Sequence, residues 1–69
     1  MSRNKDVQRH AIVQMLVSAG VPKSTAWSEV GFMLNRANPE QVFSAVSIAV
    51  FKNDKPTAKA RQLLGLGLQ

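Results

Sequence analysis

The chain has 69 residues, with nine Lys and Arg against four Asp and Glu, one histidine and no cysteine. That length makes a single domain, 1–69, and the lack of cysteine excludes disulfides and thiolate metal sites. A formal net charge of +5 favours an anionic partner, either DNA or an acidic protein face, unless it only keeps a small apolar-rich chain in solution.

The first helix is expected from about Arg3 to Ala19. Val7, Ala11, Ile12, Met15, Leu16 and Ala19 recur at steps of three and four, one apolar stripe at the helical period. Gly20 suits the left-handed residue that follows a helix, because it has no Cβ to clash. Pro22 then opposes further helix.

The second helix is expected to start near Ser24 or Thr25, whose hydroxyls could accept from an orphan N–H of the first turn. Its stripe is Ala26, Trp27, Val30, Met33, Leu34 and Ala37. Gly31 weakens such a helix by about 1 kcal/mol relative to alanine. Phe32 falls off the stripe, so it either edges the same core or serves a second contact surface.

Asn38-Pro39-Glu40-Gln41 is the clearest local signal. Asn38 is a good N-cap, and Pro39 loses no hydrogen bond at the first helical position. Glu40 complements the helix dipole, and Gln41 can reach back to the cap. The third helix then runs to about Lys52. Its apolar residues, from Val42 and Phe43 to Val50 and Phe51, cover more than one face. A short chain that does this either buries the helix centrally or shares it with a neighbour, and a second copy is a ready neighbour. After the polar breaker at 52–57, a fourth short helix spans about Thr57 to Leu64. Asp54 or Thr57 is its candidate cap, and Gly65 ends it. Leu66 and Leu68 lie between glycines beyond it and are expected to dock on the core or across a dimer.

Shifting the chain by 34 residues superposes Ala11 on Ala45, Pro22 on Pro56, Ala26 on Ala60 and Gly31 on Gly65. Each half reads as helix, Pro-bearing turn, helix, and such a period occurs in helical-hairpin repeats. The expected fold is therefore all-α, a bundle of about four short helices in two stacked hairpins, and dimeric.

Enzymatic chemistry finds little support. His10 has no cysteine or second histidine with which to hold a metal. The four acids make no obvious pair, and the glycines form no phosphate loop. No cofactor or metal is expected. No apolar run approaches the roughly 20 residues of a membrane span. The polar start MSRNKDVQRH lacks the apolar core of a secretory signal, which points to the cytoplasm.

The nucleic-acid case rests on charge and on one turn. Arg3, Lys5 and Arg9 sit in the first turns of the first helix, where cations oppose the dipole. Lys52, Lys55, Lys59 and Arg61 form a second basic group. Leu16, Ala19, Gly20, Val21 and Ala26 have a spacing that resembles a helix-turn-helix, whose second helix reads the major groove. On that resemblance, Lys23, Ser24, Thr25, Ser28, Asn35 and Arg36 would face DNA. Glu29 departs from the pattern, where an apolar residue is usual, and so does Leu16, where a small one is. The competing class is a protein-binding adaptor or inhibitor of the kind mobile elements carry. Its docking residues would be Phe32, Phe43, Phe51, Leu66 and Leu68.

Overall fold

The computed structural model describes residues 2–52 and 55–66, with side chains from Val7 onward. Four helices follow in order: α1 (Ser2–Ser18), α2 (Lys23–Leu34), α3 (Pro39–Lys52) and α4 (Pro56–Leu63). Helix α1 packs against α2 and α3, and α3 packs against α4; α2 touches α3 and α4 more lightly. None of these helices is long and apolar enough to cross a membrane.

The cap at Asn38 forms as expected. Gln41 N–H donates to Asn38 Oδ1 at 2.9 Å, and Asn38 N–H donates to Gln41 Oε1 at 3.3 Å. Two orphan donors are thus satisfied reciprocally. The two glycine stops also form, and by one device. Gly20 takes φ +101° and Gly65 takes φ +74°. In each case the glycine and the residue after it bond back to the helix. Gly20 N–H reaches Val17 O and Val21 N–H reaches Leu16 O, both at 3.0 Å. Gly65 N–H reaches Gln62 O at 3.0 Å, and Leu66 N–H reaches Arg61 O at 2.9 Å. These are Schellman closures, which occupy the last carbonyls of a helix.

Two starts differ from expectation. Helix α2 begins at Lys23 with Pro22 in the cap position and no side-chain cap. The Pro22 carbonyl accepts Ala26 N–H at 2.8 Å, so Ser24 and Thr25 lie inside the first turn. Helix α4 begins at Pro56, one residue before Thr57, with Lys55 as an uncapping flank. Proline at that position is pre-set for helix and has no N–H to satisfy. Asp54 lies outside the described residues.

The core joins Ile12, Val13 and Leu16 of α1 to Ala26, Val30 and Met33 of α2. Val42, Ala45, Val46 and Ala49 of α3 and Ala60 of α4 complete it. Leu66 packs against this core, as one of its two expected sites allows, while Leu68 lies outside the described residues. On α1 the expected stripe is corrected. Val7 is 63% exposed, and Ala11 is exposed as well, whereas Val13 is fully buried. The inward stripe is Arg9, Ile12, Val13 and Leu16, which also keeps helical spacing. It escapes an apolar pattern because its first member is an arginine.

The 34-residue echo has a physical basis at one of its four identities. Ala26 and Ala60 are both fully buried in the core. Ala11 is exposed where Ala45 is buried. Pro22 precedes its helix while Pro56 is inside one. Gly31 lies mid-helix and Gly65 ends one.

Candidate nucleic-acid interface

Helix α2 turns Ala26, Val30 and Met33 into the core. Its opposite side therefore carries Ser24, Ser28 and Asn35, spaced so that they share one ridge. Lys23, Ser24, Thr25, Ser28, Asn35 and Arg36 are all exposed. Half-buried Trp27 and Phe32 flank this ridge, and arginines stack on both.

On the first flank, Arg9 crosses from α1. Its Nη2 donates to Trp27 O at 3.1 Å, and its guanidinium carbon lies 4.6 Å from the Trp27 ring centroid. His10 adds a tilted ring contact to the same indole at 6.1 Å. Gly31 makes room for this crossing. A Cβ there would meet Arg9 Nη2 at 2.9 Å and Cζ at 3.4 Å. Arg9 lies near the middle of α1, beyond the first turn where the helix dipole would oppose a cation, and it gains an interhelical bond and a cation–π contact. Arg9 ties α1 to α2, so only part of its guanidinium remains to meet a phosphate. Its Nε is buried and has no hydrogen-bond partner.

A double-mutant cycle checks this account. Gly31→Ala alone should change stability little, because a helix-propensity gain of about 1 kcal/mol is offset by displacing Arg9. In an Arg9→Ala background the same substitution should stabilise by about 1 kcal/mol. Equal effects in both backgrounds in urea titrations would show that Arg9 and Gly31 do not interact.

On the second flank, Phe32 meets two guanidiniums. Arg36 Cζ lies 3.8 Å from the ring centroid and Arg61 Cζ lies 4.1 Å from it. Two cations this near one centroid must take opposite ring faces. Arg36 Nη1 also donates to Phe32 O at 3.1 Å. Arg61 donates from Nε and Nη2 to the two Glu29 oxygens at 2.8 and 3.1 Å, a bidentate pair linking α4 to α2. The off-stripe Phe32 therefore serves a contact between α2 and α4 and is packed against the core.

The two basic groups are only partly placed. The side chains of Arg3 and Lys5 lie outside the described residues. Lys52 and Lys55 are exposed, Lys59 is half-buried, and Arg61 turns inward to Glu29. Sequence reasoning missed the Arg9–Trp27 crossing and the Glu29–Arg61 pair. The signal for the second was present: a carboxylate at a position where an apolar residue was wanted requires a cation from elsewhere in the fold. No protein-family model matches the chain, and no significant match exists among curated proteins or solved structures.

Proposed function

We propose that this protein is a small cytoplasmic, non-enzymatic DNA-binding regulator of transcription or replication. It would act as a homodimer of two-hairpin subunits, with the outer ridge of α2 in the major groove. One observation carries the reading. The exposed residues along α2 and just past its end are Lys23, Ser24, Thr25, Ser28, Asn35 and Arg36, and the helix's single carboxylate, Glu29, is held by Arg61 at 2.8 Å. A helix face of short hydrogen-bonding side chains with a cation at either end suits a groove between two phosphate rails. Lys23 and Arg36 would hold phosphates, and Ser24, Ser28 and Asn35 would approach base edges. Thr25 lies beside them in the first turn.

The test is fluorescence anisotropy of a labelled mixed-sequence duplex at low and moderate salt, with Trp27 emission as a second signal. Binding should weaken steeply with salt. Lys23→Ala and Arg36→Ala should each weaken it and flatten the log–log salt slope by about 1. No anisotropy change at low salt removes the reading. A second reading, a protein-docking adaptor or inhibitor, is favoured by a different observation: Phe43, Ile48 and Phe51 stand out from α3 at 45, 46 and 86% exposure. It predicts association that tolerates salt.

A further inference from the structure

Helix α3 buries Val42, Ala45, Val46 and Ala49. The opposite side carries Glu40, Ser44, Ser47 and Phe51, spaced by four, three and four, with Phe43 and Ile48 along its edges. That spacing sets them in one row along the outer side of α3, a seam against which a second helix can lie. Ser44 is exposed and Ser47 half-exposed, its Oγ donating to Met15 Sδ of α1 at 3.5 Å. Among the described residues nothing covers Phe51.

We infer that this seam is a two-fold, antiparallel interface between two copies of the chain. The face is complementary to itself in three respects. Its centre is small, so two backbones can approach closely where Ser44 of one copy opposes Ser47 of the other. Its ends are large, so each Phe51 lies against the stem of Glu40 in the second copy, with that copy's Phe43 about one turn further in. Its tips carry opposite charge. Glu40 is in the first turn and Lys52 in the last, with exposed Lys55 just beyond. Antiparallel packing places Glu40 beside Lys52 of the other copy twice over, and it opposes the two helix dipoles. Parallel packing would set like charges together at both ends.

This interface leaves the outer ridge of α2 unused. It rests on the dimeric part of the proposed function and not on DNA, so the two fail separately: one by sedimentation, the other by duplex anisotropy.

Sedimentation equilibrium of the full chain, from micromolar to submillimolar concentration, should show a monomer–dimer equilibrium. Phe51→Glu should raise the dissociation constant about a hundredfold or more, because a two-fold counts each substitution twice. Its helical circular dichroism should match wild type, since the ring is 86% exposed. The chain has no cysteine of its own, so register can be read directly. Ser44→Cys mixed with Ser47→Cys in a thiol–disulfide buffer should give the mixed disulfide in preference to either symmetric one. A wild-type monomer throughout, a dimer indifferent to Phe51→Glu, or symmetric disulfides prevailing would each overturn the inference.

Discussion

Leu16→Ala should lower the unfolding free energy by about 2–5 kcal/mol, the range for a buried leucine cut back to alanine. Leu16 is fully buried between α1 and the helices it packs on. A domain of this size has roughly 3–10 kcal/mol to lose, at the usual stability per residue. The substitution should therefore remove a large share of the total stability, seen as a lower urea midpoint and a lower Tm by circular dichroism. The loss would come from packing and not from the turn. Leu16 O accepts Ala19 N–H and Val21 N–H, both at 3.0 Å, and these backbone bonds do not depend on the side chain. Val7→Ala, on the outward side of the same helix, should cost about 0.5 kcal/mol or less. Comparable losses at the two positions would mean that α1 buries the face the apolar pattern chose, with Val7 inside.

That contrast marks the boundary of what the sequence discloses. The stops at Gly20 and Gly65 and the start at Asn38 were legible because each is a contact among residues within one turn. A left-handed φ needs glycine, and an Asn–Gln pair three residues apart meets without help from the rest of the chain. The side of α1 that turns inward was not legible, because its choice depends on α2. Arg9 belongs to the buried stripe only because Trp27 supplies a ring and a carbonyl and Gly31 leaves out a side chain. The pairing of Glu29 with Arg61 joins residues 32 apart, and no local spacing announces it. The outward ridge of α2 was legible, since its polar residues are what remains when Ala26, Val30 and Met33 are turned inward.

Glu29→Ala should move stability and duplex binding in opposite directions. The carboxylate and its Arg61 partner are 22 and 16% exposed, so water screens the pair only partly. Removing the carboxylate takes away the bidentate bonds by which Arg61, stacked on Phe32, ties α4 to α2. The expected loss is about 1–3 kcal/mol, above a surface ion pair and below a wholly buried one. Glu29→Gln keeps one acceptor oxygen and should lose less. Added salt should close little of the gap, because the pair is shielded from the bulk. The same change raises the net charge from +5 to +6, since one of the four acids is removed. It also takes away the only carboxylate of α2. At temperatures where the variant remains folded, duplex affinity at low salt should therefore rise severalfold and the gain should fade as salt is added. Simple destabilisation cannot produce that rise, because it lowers the folded fraction and with it the binding. Unchanged stability would show that the pair is an ornament of the surface. Affinity that falls in step with stability would take α2 away from DNA and leave Glu29 as a bridge between two helices.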